Sequence, residues 1–492
     1  MGIIIKQSVR GAFWSYLGIA IGYVNVGIIM PQFFDTAQIG LYQIFAAVSL
    51  MFAQFGTLGF TSVINRLFPL FRDPVRQHNG FLFLMLTTGL LGFILTAAGF
   101  VVLKPWVVET NVERSPLLVE YLWLMLPLVL MRLLFTLLDN YNKMLYDAVT
   151  GTFWIEFMHK LINLVLIVLF ALGWINFSQF FFGYILSICL PVVPVMVVLV
   201  RRGNFSLKPQ LHFMGKPLRA EVGQTMLFGF VNGMAGVILV NVDKVFVNQY
   251  LSLGQVGVFG VCALFASLIR VPFNSISKIA TGIIAEAWKR DDRAHIREIY
   301  QKAALNQAIV GVLIFVGIVA NLHNIFEILP PEYRSGKWVL IIYSGGMLVN
   351  TILGLAGNIT ETSKYFRFTT LFLGLSILLQ FGLSFLLIPR WGITGAALST
   401  AITLVVNSTF QAVLQRVAFG IYGLNRKLLV VAGIGAISLG ISWLLPHLPL
   451  VADIVVRSSL VAVVFVGLVV GLKVSDEVYM IIRKFYPVNK NI

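Results

Sequence analysis

The feature that most constrains this chain is a hydrophobic run of about twenty residues that recurs along the whole 492-residue sequence. A bilayer core of about 30 Å needs roughly this length of α-helix to cross it. In lipid every backbone hydrogen bond has to be made internally, which leaves only helices and closed β-barrels. A barrel would show strands of about ten residues with alternating polarity, and that alternation is absent. The sequence therefore predicts an all-α polytopic membrane protein.

Fourteen spans are predicted, with both termini in the cytoplasm. If the N-terminus is inside, the inner segments carry 26 Lys and Arg residues, Lys160 among them, and the outer segments six, including Arg457. Basic residues concentrate in cytoplasmic loops, so this bias also explains the net charge of +16 better than a nucleic-acid partner would. The spans are predicted near residues 9–33, 39–64, 79–103, 117–139, 149–173, 178–200, 221–249, 254–285, 303–327, 336–360, 365–388, 392–415, 427–445 and 452–473.

A short motif recurs in the two halves of the chain. Ala37–Tyr42 (AQIGLY) joins spans 1 and 2, and Gly254–Phe259 (GQVGVF) joins spans 7 and 8, at an offset of 217 residues. Because six spans is an even number, the second half enters the membrane in the same sense as the first, as in transporters with a site between parallel repeats. We expect two six-helix lobes: an N-terminal lobe (1–201), a basic cytoplasmic linker (202–220), a C-terminal lobe (221–418), and spans 13 and 14 with a cytoplasmic tail (419–492).

Several kinds of chemistry lack support in the sequence. The six histidines have no metal-ligand spacing, the two cysteines lie in separate apolar runs, and no G-x-x-x-x-G-K-[ST] phosphate loop occurs. No catalytic residue, metal or cofactor is therefore predicted, and no predicted loop is long enough for a soluble catalytic domain. We expect a transporter rather than an enzyme.

Ionised side chains inside the spans are the first candidate site residues, because each costs about 2.5–3.5 kcal/mol on insertion scales. Span 8 carries Arg270, Asn274 and Lys278 at intervals of four, which places them on one helical face. For Lys278, snorkelling to the inner surface is an equal alternative. Span 7 aligns Asn232 and Asp243 on one face, and Asp243 is a candidate partner for Arg270.

Further cationic and polar residues complete the predicted cavity. Lys244 lies near the outer end of span 7, where outward snorkelling is the competing interpretation. Arg66 and Arg132 lie towards the inner ends of spans 2 and 4, and positive-inside anchoring is the alternative for both. Gln54 in span 2 and Asn25 in span 1 add neutral groups, although the small-residue stripe beside Asn25 is typical of close helix packing.

Four stretches of the chain carry a family resemblance: Gln38–Tyr42, Leu58–Phe60 with Arg66, Asp243–Phe259 and Ile388–Leu398. They resemble the polysaccharide transporter family of the multidrug/oligosaccharidyl-lipid/polysaccharide flippase (MOP) superfamily. The resemblance implies two six-helix lobes around a central cavity, alternating access, and cationic cavity residues that bind a pyrophosphate. That role passes to Arg66, Lys244 and Arg270, whereas Arg132 and Lys278 rest on their positions within spans.

The resemblance implies export of a polyprenyl-pyrophosphate-linked oligosaccharide, a polysaccharide or lipopolysaccharide repeat unit, across the bacterial cytoplasmic membrane. Proton or cation coupling and contact with other polysaccharide-assembly proteins are left open, and no nucleic-acid partner is expected. One alternative is a cation-coupled multidrug exporter, which needs embedded acids; here embedded cations outnumber them. Another is an intramembrane sugar polymerase or acyltransferase, which needs catalytic histidines or acids, or a large outer loop.

Overall fold

The computed structural model describes residues 2–210 and 213–475, and this part of the chain is helical with no β-strand. Thirteen segments are long and apolar enough to cross a membrane. One of them, Phe366–Phe419, has 54 residues, which at about 1.5 Å per residue far exceeds a bilayer core of about 30 Å. It breaks at Gly392 (φ 56°, ψ −140°), a conformation open to glycine, and so supplies two spans. The predicted all-α polytopic fold with about fourteen spans is confirmed.

The first of two compact units extends to Val261. Two of its helices, α1 (Val9–Phe33) and α6 (Val149–Ala171), are π-helical over Val24–Ile29 and Phe153–Met158. A buried aromatic and aliphatic core that includes Phe68, Phe81 and Leu137 joins α3 (Phe60–Phe71), α4 (Gln77–Asn111) and α5 (Pro116–Met144). The helices of this unit are α1 (Val9–Phe33), α2 (Thr36–Gly56), α3 (Phe60–Phe71), α4 (Gln77–Asn111), α5 (Pro116–Met144), α6 (Val149–Ala171), α7 (Phe177–Arg201), α8 (Lys216–Tyr250) and the start of α9 (Leu253–Lys289).

The second unit begins at Cys262, within α9. Its boundary does not coincide with the linker expected at 202–220, because α8 packs along α2 and α3 in the first unit; the division into lobes by sequence stays a prediction. The remaining helices are α10 (Arg293–Ala320), α11 (Leu322–Ile328), α12 (Pro331–Leu353), α13 (Leu355–Thr362), α14 (Phe366–Phe419), α15 (Arg426–Trp443) and α16 (Leu450–Gly471).

Helices α15 and α16, the predicted spans 13 and 14, pack on α10 through a buried cluster that includes Val316, Val431 and Phe465. Arg457 on α16 was expected among the outer loop cations, and this expectation is wrong. Its side chain is 6% exposed, and it is paired with Asp453, one helical turn earlier. Burial is tolerated because the opposite charge lies within hydrogen-bond distance.

The two copies of the recurring motif contact each other inside the first unit. A Cβ atom on Gly40 would overlap the carbonyl oxygen of Leu253, and one on Gly257 would overlap that of Thr36. Each pair of equivalent residues, 40 with 257 and 36 with 253, is separated by 217 positions. The contact is therefore reciprocal, as a two-fold relation between the repeats requires.

Candidate functional site

An ion pair that the sequence analysis missed lies between α1 and α6. Lys160 Nζ is 2.9 Å from Glu156 Oε2, and the two side chains are 25% and 39% exposed. Lys160 was counted with the cytoplasmic loop before span 5, but α6 begins at Val149, so Lys160 lies about 16 Å along the helix. The assignment of Lys160 to an inner loop is therefore wrong. It was included among the basic residues that flank span 5, whereas it lies within the helix.

The α1 face that meets this ion pair is built from small and polar residues. The Nδ2 of Asn25 donates to the Lys160 carbonyl at 2.8 Å, and Asn25 is 1% exposed. A Cβ on Gly18 would overlap the carbonyl oxygen of Glu156, so the two helices approach at backbone distance. The small-residue stripe thus has the packing role that was its competing interpretation. Asn25 and Glu156 both lie in π-helical segments, which are frequent at functional sites.

Arg132 on α5 lies inside the first unit among tyrosine hydroxyls. The hydroxyl of Tyr184 on α7 is near enough to interact electrostatically with Arg132, and the ring centroid of Tyr184 is 4.2 Å from that of Tyr42 on α2. The Tyr42 hydroxyl accepts a hydrogen bond of 3.0 Å from Asn163 Nδ2 on α6. His159, one turn before Asn163, has its ring centroid 6.0 Å from that of Tyr184. We call these five residues the Arg132 cluster.

The Arg132 cluster has an excess of unused polar groups. Arg132 Nε is buried with no hydrogen-bond partner in the described part of the chain, and so is Asn163 Oδ1. No carboxylate forms an ion pair with Arg132 among the described residues. Arg132 is partly buried, and a guanidinium withdrawn from water without a carboxylate is costly, so a site of this kind favours an anionic ligand.

The other predicted residues of the first unit lie outside this cluster. Arg66 on α3 is 70% exposed and pairs with Glu221 of α8 at 3.7 Å, as expected for a cation at an inner span end. Gln54 lies against α8 at Gly233, where a Cβ would overlap its amide nitrogen. Asn232, the neighbour of Gly233, has a buried Oδ1 without a partner among the described residues. Arg66, Gln54 and Asn232 therefore lie along the contact between α8 and helices α2 and α3. They do not surround Arg132.

Asp243 and Lys244 lie near the C-terminal end of α8. Asp243 is 2% exposed and Lys244 is partly buried. The proposed Asp243–Arg270 pair would join residues of the two units, and it stays a prediction.

In the second unit, helix α9 carries three predicted site residues at intervals of four: Arg270, Asn274 and Lys278. Arg270 ends a 3₁₀ turn directly before the helical segment Val271–Lys289 and is partly exposed, while Asn274 and Lys278 are exposed. The neighbouring Ser277 and Thr281 face another way, because Asn358 Nδ2 of α13 donates to their hydroxyls at 3.0 and 2.7 Å. The face of α9 that carries Arg270, Asn274 and Lys278 is therefore at least partly exposed. That this face lines a cavity stays a prediction.

Metal chemistry finds no support among the described residues, in which no group of three or more His, Cys, Asp or Glu side chains is placed to hold an ion. No protein-family model matches the chain, and no curated protein matches it significantly. Solved structures do. The lipid II flippase MurJ in an inward closed conformation gives a TM-score of 0.73 at 13% identity, covering 94% of this chain and 98% of that one.

An inward-facing multidrug resistance MATE transporter of the MOP superfamily gives a TM-score of 0.61 at 13% identity, covering 82% of this chain and 94% of that one. This chain has the MOP-superfamily fold. A MOP transporter from Pyrococcus furiosus, described by the reverse polarity of its binding pocket, gives 0.52 at 15% identity, covering 84% and 95%. The fold implied by the sequence resemblance is confirmed, and membership of the polysaccharide transporter family stays a prediction.

Proposed function

We propose that this protein is a MOP-superfamily transporter that exports a polyprenyl-pyrophosphate-linked oligosaccharide across the bacterial cytoplasmic membrane by alternating access. The observation that carries the proposal is the Arg132 cluster, in which a partly buried guanidinium has a buried, unused Nε and no ion pair with a carboxylate among the described residues. An anionic headgroup would supply the missing charge. Arginine suits this role because its planar fork donates two parallel hydrogen bonds to phosphate oxygens.

The remaining predicted cations have a place in the same proposal. Arg66, an exposed residue in the second half of α3, would meet the headgroup first, and Lys244, Arg270 and Lys278 would compensate its charge along the path. The polyprenyl tail would stay in the bilayer, so that only the pyrophosphate and the sugars need a polar route. Both termini are proposed to lie in the cytoplasm, in keeping with the positive-inside bias.

One of the structural neighbours supports this choice of substrate class, because it is named as a lipid II flippase. The second candidate function is a cation-coupled multidrug exporter, favoured by the MATE neighbours and by Glu156 inside α6. Because Lys160 neutralises Glu156 at 2.9 Å, this acid is a weak attractor for an organic cation.

The proposal is tested by transport in proteoliposomes that contain the purified protein. A fluorescent polyprenyl-pyrophosphate oligosaccharide is followed in wild type, Arg132→Ala and Arg132→Lys, with efflux of an organic cation measured in parallel. Loss of a charge-assisted bond costs about 1.5–3 kcal/mol, so Arg132→Ala should slow translocation by about 10- to 100-fold. The translocation rate of Arg132→Lys should lie between those of wild type and Arg132→Ala, because lysine keeps the positive charge but lacks the two parallel N–H donors of a guanidinium.

Arg76→Ala is the matched control, because Arg76 is 73% exposed and pairs with Asp73 in the loop before α4. It should leave translocation unchanged. Transport of the organic cation alone would replace the proposal with the multidrug exporter. Equal translocation in wild type and Arg132→Ala would keep the substrate class and remove Arg132 from the site.

A further inference from the structure

We propose that the second unit binds a phosphate group in a pocket at the cytoplasmic ends of its helices, apart from the cationic residues assigned to transport. The cavity has a volume of about 240 Å³, and a water molecule takes about 30 Å³ of liquid. The space therefore holds a phosphate group with several waters. The lining includes Trp288, Asp291, Arg293, Ser363, Lys364 and Phe419.

Three inner connections build this pocket. Asp291 lies between α9 and α10, and Arg293 begins α10. Ser363 and Lys364 lie between α13 and α14, and Phe419 ends α14. The positive-inside bias places these connections on the cytoplasmic face, where they meet anionic headgroups and soluble phosphates.

The two lining cations keep most of their hydrogen-bonding capacity. The Nε of Arg293 donates to Asp291 at 3.1 Å, and a guanidinium has five N–H donors, so four remain. Lys364 Nζ lies 5.3 Å from the ring centroid of Tyr365, a contact that uses none of its three N–H groups. The lining contains two cations, Arg293 and Lys364, and one carboxylate, Asp291, so its net charge is positive.

Two aromatic residues of the lining, Trp288 and Phe419, contribute an indole N–H donor and a ring that contacts Arg293. The rings of Trp288 and Phe419 are 4.6 Å apart, and the Arg293 guanidinium carbon lies 6.0 Å from the Phe419 centroid. Trp288 Nε1 is buried and has no acceptor among the described residues. An indole N–H is a donor only, so an unused donor lies on a residue of the pocket lining.

The helix ends favour the same ligand. The α10 and α14 helices both begin at this pocket, at Arg293 and Phe366, and a helix N-terminus carries partial positive charge. Asp292 already caps α10 by accepting from the His295 amide at 3.0 Å. The N-cap residue of α14, Tyr365, makes no side-chain cap. The phosphate is therefore placed towards α14, beside Lys364.

The test uses the full-length protein in detergent, labelled with 5-fluorotryptophan at its nine tryptophans. The ¹⁹F signal of Trp288 is assigned with Trp288→Phe and followed during titration with dihexanoyl phosphatidylglycerol, dihexanoyl phosphatidylcholine or inorganic phosphate. We expect a saturable shift of the Trp288 signal with the first or the last of these. A shift with the anionic lipid alone identifies a headgroup site, and a shift with inorganic phosphate identifies a site for soluble phosphates.

Two double variants separate the pocket from general surface charge. Arg293→Gln/Lys364→Gln removes both lining cations and should weaken binding by about 10-fold or more. Arg290→Gln/Arg367→Gln removes two charges from the same connections outside the lining and should retain it. Unshifted signals of the other tryptophans show that each variant is folded. The proposal fails if no ligand shifts the Trp288 signal, or if the second variant loses binding as the first does.

Discussion

Replacing Arg457 with methionine should destabilise the second unit strongly, because it leaves a buried carboxylate without its cation. Asp453 is 2% exposed and accepts four hydrogen bonds. Two come from Arg457, at 2.9 and 2.8 Å, one comes from Asn324 Nδ2 at 2.6 Å, and one comes from the Leu448 amide at 3.3 Å. The variant removes both charge-assisted bonds to Asp453, together with the bonds that Arg457 donates to the Ser442 and Pro446 carbonyls, and keeps the two neutral donors. Breaking a buried pair from one side costs about 3–5 kcal/mol.

That free energy converts into a measurable shift in thermal unfolding. For a unit of about 150–250 residues, each kcal/mol lowers the Tm by about 2–4 °C, so Arg457→Met should lower it by about 10 °C. The free cysteines provide the assay, since a thiol-reactive dye reports unfolding when a buried thiol becomes accessible. Cys262 is 1% exposed at the start of the second unit, and Cys189→Ser removes the other signal.

A double variant distinguishes an uncompensated charge from lost packing. Asp453→Asn/Arg457→Met removes the carboxylate charge together with its partner, and replacing a buried ion pair with neutral groups is often close to neutral. The double variant should therefore recover more than half of the lost Tm. A drop of less than about 2 °C in the single variant, or an equal drop in both, would show that the pair does not hold α16 in place.

Three further predictions follow from close contacts and buried polar groups. Gly40→Val should reduce the Tm and the folded yield, since its Cβ would overlap a backbone carbonyl, whereas Gly99→Val, with open space around its Cβ, should not. Gly392→Ala should lower the free energy of unfolding by about 1–3 kcal/mol, because Gly392 has a positive φ that alanine rarely adopts. Gly374→Ala, where the added Cβ has open space, should show no such loss in the same dye-monitored unfolding measurement. Asn248→Ala should cost about 1–3 kcal/mol in the same assay, because it removes bonds of 2.7 and 2.9 Å to two buried polar side chains.

The sequence was sufficient to predict the number and placement of the spans, because hydrophobic length is a local property. It identified Arg132 as embedded but not its partners, since Tyr42 and Tyr184 come from other helices and their approach depends on packing. It misplaced Lys160, whose charge suggested a loop, because the compensating Glu156 and the backbone approach of α1 are tertiary features. Arg457 was misplaced for the same reason, because hydropathy alone does not tell a loop cation from one half of a buried pair.

The reciprocal glycine contact has a consequence for the symmetry of the junction between α2 and α9. Gly260 meets Gln43 as well, and these two positions are again separated by 217 residues. In a symmetric homodimer, residue i of one copy meets residue j of the other, and residue j of the first copy meets residue i of the second. The junction between α2 and α9 has this pattern within a single chain. Two stretches of one chain therefore meet there as two subunits of a symmetric dimer would.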